Sequence, residues 1–143
     1  MEKQPQKRKV LFVCSLNAVR SVLAEYLCHH HFADCIEAQS CGVIAGPPDG
    51  YAASVALEHN IDITKHESRY LSDVDTSEFD EIISFSEDAA LEVAHLNLSS
   101  DCEVGSWQVT SFAGLGQTRD EKLVIYRQVF DDIKSHLMTH FAS

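Results

Sequence analysis

The chain has 143 residues, 45% apolar and 23% charged, with a formal net charge of −11. That length fits one domain with a single buried core, and the balance excludes a disordered chain. The acidic surplus speaks against nucleic acid and against anionic membrane surfaces, since both require a basic face.

Residues 1–8 are polar and charged and are expected to form a flexible N-terminus, leaving 9–143 as the domain. The apolar stretch behind that basic start, Val10–Cys14, is too short for a signal-peptide core, so a cytoplasmic location is expected. No apolar run approaches the ~20 residues needed to cross a bilayer. Lys9–Val13 reads as a short buried strand. Helical spacing of Val22, Leu23, Tyr26 and Leu27 then predicts a helix over Val19–Phe32. A second strand is expected over Ile36–Cys41, followed by a Gly- and Pro-rich loop, Gly42–Gly50. A short helix over Tyr51–His59 leads to a third strand within Glu78–Phe85, a helix over Glu87–Leu98 and a fourth strand over Cys102–Trp107. After a loop over Ser111–Arg119, a long helix over Asp120–Phe141 places Leu123, Tyr126, Phe130, Ile133, Leu137 and Phe141 on one core-facing stripe. Alternating strands and helices predict a single three-layer α/β domain with a parallel sheet, and ligands in such sheets bind beyond the carboxyl ends of the strands.

Cys14 lies at such an end. It closes the first strand, Arg20 follows after five residues, and a helix begins inside the same segment. Unpaired N–H groups at a helix start form an anion cradle, and their partial positive charge, with that of Arg20, favours a cysteine thiolate. An arginine fork can hold two oxygens of a tetrahedral oxyanion at once. Spacing and context therefore point to anion binding, with a buried structural thiol as the alternative. The other cysteines, Cys28, Cys35, Cys41 and Cys102, form no C-x-x-C pair and read as free thiols. His29-His30-His31 lacks the i, i+4 spacing of a helical metal pair and reads as a solvated helix end near the negative dipole terminus. Asp73, Asp75, Glu78, Asp80 and Glu81 read as a solvated face, or as a surface receiving basic phosphopeptides.

The run Val10-Leu11-Phe12-Val13-Cys14-Ser15-Leu16-Asn17-Ala18-Val19-Arg20-Ser21, with Ala24-Glu25 behind it, resembles the phosphate loop of the low-molecular-weight protein tyrosine phosphatases. Thioredoxin-coupled arsenate reductases share that fold and loop. The likeness continues through Ser40-Cys41-Gly42, Gly46-Pro47-Pro48, Glu58–Ile63, His66, Trp107 and Tyr126–Ile133, about residues 9 to 140. The resemblance implies a four-stranded parallel sheet with helices on both faces and the phosphate loop after the first strand. It implies Cys14 as a nucleophile forming a phosphocysteine, Arg20 as the clamp on the phosphoryl oxygens, and Ser21 as a donor to the thiolate. Ser15, Leu16, Ala18 and Val19 would complete the loop, with Asn17 holding its shape and Ser40 and His66 in the supporting network. No cofactor or metal is implied. The expected substrate is a phosphotyrosine protein or a small aryl phosphate, with phosphate as product or inhibitor.

The departures matter. Ser111-Phe112 stand where the family has an Asp-Pro general acid, and Asp120 and Glu121 are the candidate replacements. Ser84-Phe85-Ser86 replaces a run that is usually Ala-Met-Asp. Val19 stands where many relatives carry a cysteine that guards the nucleophile, so that guard is missing unless Cys41 or another thiol lies nearby. The resemblance thus implies weak turnover favouring aryl phosphates, or a catalytically silent phosphate-binding relative. An arsenate reductase would need an external thiol, because no cysteine pair falls near Ser84–Ala90.

Overall fold

The computed structural model describes residues 7–47, 49–109 and 116–141. Four strands, β1 (Arg8–Leu16), β2 (Ile36–Ile44), β3 (Glu81–Ser84) and β4 (Glu103–Ser106), form one sheet in the order β2-β1-β3-β4. Every pairing is parallel. Four helices, α1 (Arg20–His31), α2 (Gly50–Leu57), α3 (Glu87–Ala94) and α4 (Arg119–Phe141), lie between and after them, with short 3-10 turns at Leu71–Asp73 and Thr76–Glu78.

Alternation along β1 divides the core. Val10, Phe12 and Cys14 face one side, where residues of α1, α2 and α4 such as Leu23, Val55 and Phe130 pack with them. Leu11 and Val13 face the other, against Ala89 and Val93 of α3 and against Leu71 and Phe79. Strand side chains alternate between faces, so helices on both faces follow directly from a β1 that is apolar at consecutive positions. The α4 stripe is buried through Leu123, Tyr126, Phe130, Ile133 and Leu137, with Val129 added; Phe141 is partly exposed against Phe32.

Several boundaries differ from the sequence reading. β1 runs on to Leu16 and β2 to Ile44, because their pairing continues through Cys14↔Gly42 and Leu16↔Ile44. The loop after β2 is correspondingly shorter. Helix α2 ends at Leu57, and Asn60 takes the left-handed conformation (φ 62°) that Asn tolerates better than most residues. Helix α3 stops at Ala94, before a run rich in Asn, Ser and Asp. Arg8 belongs to β1, while the rest of the expected flexible terminus, up to residue 6, lies outside the described residues.

Glu81 is a clear correction. It does not belong to a solvated acidic face: it is buried within β3, bonded to Arg8 Nε at 3.2 Å and to His140 Nε2 at 2.6 Å. A buried carboxylate needs such partners. Here they tie β1 and α4 to β3. Asp80 is also engaged, accepting from the Lys9 amide at 2.8 Å. No helix among the described residues is long and apolar enough to cross a membrane.

Candidate active site

The chain leaves β1 toward β2 on one side and later returns past β1 to β3 on the other. The carboxyl ends of β1 and β3 therefore flank a topological switch point, the usual place for a ligand in an open parallel sheet. Cys14 lies two residues before the carboxyl end of β1. Helix α1 starts at Arg20 with no side chain capping it at Val19, so its first-turn N–H groups are left for another acceptor.

Cys14 is buried on the α1 face, with Sγ 2.8 Å from Ser21 Oγ and 3.0 Å from the Leu16 carbonyl. The Leu16 carbonyl can only accept, so the thiol proton points there. Ser21 Oγ also accepts from Asn17 Nδ2 at 2.9 Å, which leaves its own proton to be aimed at the sulfur. The Cys41 carbonyl, at 3.4 Å, is the weaker alternative acceptor.

Asn17 is fully buried and spans the site. Its second Nδ2 hydrogen goes to Ser40 Oγ at 3.0 Å, and Ser40 in turn donates to Glu25 Oε1 at 2.7 Å. Asn17 Oδ1 accepts from His66 Nε2 at 2.9 Å and from the Arg69 amide at 3.1 Å. Its main-chain carbonyl accepts from Ser68 Oγ at 2.7 Å, and Ser68 also bonds to the Gly46 carbonyl. Burial pushes the His66 pKa down, consistent with a neutral ring carrying its proton on Nε2. Gly42 fits closely here: a Cβ would lie 2.5 Å from Asn17 N and from the Ile44 carbonyl, which are themselves hydrogen-bonded at 3.3 Å.

The β3–α3 turn closes the far side. Arg20 Nη1 donates to the Phe85 carbonyl at 2.8 Å. Ser15 Oγ lies 3.0 Å from Ser86 Oγ and 2.6 Å from Asp88 Oδ1, on the α3 face of the sheet. These bonds from Ser15 and Ser86 hold the Asp88 carboxyl below its usual range. Next to the loop a cavity of about 550 Å³ opens between Leu16, Ala18, Asp49, Tyr51 and Arg119. Leu16 is half exposed at its mouth, whereas Ala18 and Val19 are buried.

The fold thus joins Asn17, Ser21, Ser40 and His66 in one hydrogen-bonded set that reaches Cys14 through Ser21, whereas Ser15 and Arg20 bond to the β3–α3 segment instead. Ser111 and Phe112 lie outside the described residues. Asp120 and Glu121 stand in the first turn of α4, and Glu121 is committed there. Its carboxylate accepts from the amides of Gln117 (2.7 Å) and Thr118 (3.3 Å), while Thr118 Oγ1 accepts from the Glu121 amide. This is a capping box, and it lowers the Glu121 pKa. Cys41 offers no guard: its side chain belongs to the opposite face of the sheet from Cys14, and burial pushes its pKa up to about 12. Cys102 packs on that same opposite face, and Cys28 lies two turns along α1. His29 reaches the Ala38 carbonyl at 3.0 Å, and no cluster of metal-ligating side chains occurs among the described residues.

Residues the sequence reading left without a role include Glu25, Ser68, Asp49 and Asp88. A carboxylate on the buried face of α1 was the available signal for Glu25; Asp49, just before a helix, was the signal for a cap. Asp49 Oδ1 indeed accepts from the amides of Tyr51 and Ala52, and its Oδ2 accepts from Tyr126 Oη at 2.9 Å.

The fold is similar to that of known proteins. The structure is similar to an arsenate reductase from Archaeoglobus fulgidus (28% identity, TM-score 0.71, 91% of this chain and 96% of that one). It is also similar to a low molecular weight protein tyrosine phosphatase from T. tengcongensis (24% identity, TM-score 0.69, 90% and 94% covered). A third likeness is to Vibrio vulnificus Wzb in complex with benzylphosphonate (19% identity, TM-score 0.71, 94% and 99% covered). No curated protein sequence matches the chain. The family model for low molecular weight phosphotyrosine protein phosphatase matches residues 9–142, and the chain accordingly belongs to that family.

Proposed function

We propose that the protein is a cysteine-dependent phosphatase acting on aryl phosphates through a phosphocysteine. The observation that carries this is the Ser21 hydroxyl, 2.8 Å from Cys14 Sγ and supplied with a hydrogen bond from Asn17, so that its proton is directed at the sulfur. A fixed donor stabilises the thiolate and, equally, the thiolate regenerated when the intermediate is hydrolysed.

In the first step Cys14 sulfur attacks phosphorus in line, the S–P bond forms and the P–O bond to the aryl group breaks. Arg20 and the amides at the start of α1 hold the phosphoryl oxygens as charge moves onto them. Water then attacks phosphorus, the S–P bond breaks, and inorganic phosphate leaves. The aryl oxygen departs with a proton from an acid or from water. Glu121 is a poor donor because its capping bonds favour the ionised form, so Asp120 is the first replacement acid to test. An aryl leaving group needs such help least, hence the expected preference over alkyl phosphates.

Hydrolysis of p-nitrophenyl phosphate by wild type, Cys14→Ser and Asp120→Asn tests the reading between pH 5 and 8. Turnover that vanishes in Cys14→Ser supports it, and turnover that survives refutes it. Binding of inorganic phosphate with no turnover would instead indicate the silent phosphate-binding relative. The likeness to arsenate reductases favours a second reading, in which the same clamp holds arsenate. With Cys41 and Cys102 on the opposite face, that chemistry would require an external thiol, and arsenate reduction assayed with and without added thiol decides it.

A further inference from the structure

We propose that Asp88, acting through Ser15, is a positioning residue for the phosphate loop: it ties the chain beside the nucleophile to the turn that holds Arg20. The inference rests on the phosphatase reading and names a residue that sets the geometry of that site without touching the substrate.

The need for such a tie follows from the sheet. Toward β2, the pairing of β1 runs on to Leu16↔Ile44, whereas toward β3 it stops at Val13↔Ser84. The stretch Cys14–Leu16, which carries the nucleophile, therefore overhangs its neighbour on the β3 side. The residue that follows β3 is well fixed. Phe85 donates its amide to the Val13 carbonyl at 2.9 Å, and its buried ring packs on Phe12 and Trp107 at centroid distances of 6.0 and 5.9 Å. Its carbonyl accepts from Arg20 Nη1 at 2.8 Å, so the arginine at the far end of the loop takes its place from this turn. Ser15 supplies the matching tie at the near end. Its hydroxyl donates to Asp88 Oδ1 at 2.6 Å, a charge-assisted bond to an ionised carboxylate that can only accept. Ser86 Oγ, 3.0 Å from Ser15 Oγ, accepts from the Ala89 amide and so caps the helix that carries Asp88. Both ends of the loop are thus referred to one turn, residues 85–88. Nucleophile and clamp keep their separation when attached to the same rigid piece, and a small misplacement of either slows the reaction.

The Asp88 charge works against the site, since a carboxylate near a bound phosphate repels it; the hydrogen bond is the useful part. Asparagine keeps an oxygen acceptor without the charge, and alanine keeps neither. The difference between those two variants therefore reads the bond alone.

The test measures p-nitrophenyl phosphate turnover and calorimetric binding of inorganic phosphate in Asp88→Asn and Asp88→Ala, each with and without Ser15→Ala. Asp88→Asn is expected to match or exceed wild type in kcat/KM. Asp88→Ala should fall about tenfold below Asp88→Asn, with a Tm within about 2 °C of it. Ser15→Ala should cost about tenfold in the Asp88→Asn background and about threefold or less in the Asp88→Ala background, where its partner is already gone. Phosphate affinity should follow the same pattern. Equal activity of Asp88→Asn and Asp88→Ala, equal costs of Ser15→Ala in both backgrounds, or a loss that tracks Tm would overturn the proposal. Phosphate binding that shows this coupling without any turnover would refute the phosphatase reading and sustain the tie. A wild type that binds no phosphate would overturn both.

Discussion

Replacing Asn17 by alanine removes one buried side chain that four groups rely on. Ser21 Oγ and Ser40 Oγ lose a donor at 2.9 and 3.0 Å, but each hydroxyl keeps a bond of its own, to Cys14 or to Glu25. His66 Nε2 and the Arg69 amide lose their acceptor at 2.9 and 3.1 Å. His66 is buried, so its stranded proton carries most of the cost. At ~1–3 kcal/mol for an unsatisfied buried donor, and less for the Arg69 amide, the loss comes to about 2–4 kcal/mol. For a chain of this length each kcal/mol shifts Tm by roughly 3 °C, so a fall of about 6–12 °C is expected in thermal unfolding followed by circular dichroism. Turnover of p-nitrophenyl phosphate should fall at least about tenfold, since the Ser21 proton is no longer steered to the sulfur. Asn17→Asp separates the two effects. It keeps an acceptor for His66 and Arg69 but turns the Ser21 proton away from Cys14, so it should lose activity at a smaller cost in Tm. A Tm of Asn17→Ala within about 1 °C of wild type would refute the reasoning, because a stranded buried donor cannot cost so little.

Arg20→Lys keeps the charge but loses the two-pronged grip; kcat/KM should fall about 100-fold, and a loss under about threefold would rule out the clamp. Gly42→Ala drives a methyl group against the Asn17 amide and the Ile44 carbonyl, so it should lower stability by ~1–3 kcal/mol and raise KM, read by urea unfolding and steady-state kinetics. The pKa of His66 is held below that of an unfolded histidine, so just under pH 6.5 the unfolded chain binds the extra proton and the folded chain does not. Stability should therefore rise with pH through that window, and His66→Gln should flatten this part of the Tm–pH profile; an unchanged slope would refute it.

The legible parts of the site were those written within a short stretch of chain. Cys14, Arg20 and Ser21 fall within one strand–loop–helix unit, so their neighbourhood follows from local geometry and from the apolar run that buries β1. The role of Glu81 was misread for the opposite reason. It sits among surface acids in sequence, and only pairing between β1 and β3, with His140 arriving on α4, carries it into the interior. Glu121 reads as a candidate acid until Thr118, just before α4, makes it half of a capping box. Cys41 shows how finely register matters. Opposite Val13 in the β1–β2 ladder, it inherits the Val13 face, so a shift of one residue separates it from Cys14 by the thickness of the sheet.

By itself the sequence determined the alternation of strands and helices, the buried β1, the apolar stripe of α4 and the Cys14–Arg20 spacing, because periodicity and helix starts act over a few residues. Tertiary structure alone decided what surrounds them. His66 meets Asn17 across 49 residues, Arg20 reaches Phe85 across 65, and Ser15 reaches Asp88 across 73. Such contacts depend on the strand order β2-β1-β3-β4 and on which face each side chain takes. Both are settled by burying the whole core at once, a condition that no local stretch of chain can encode.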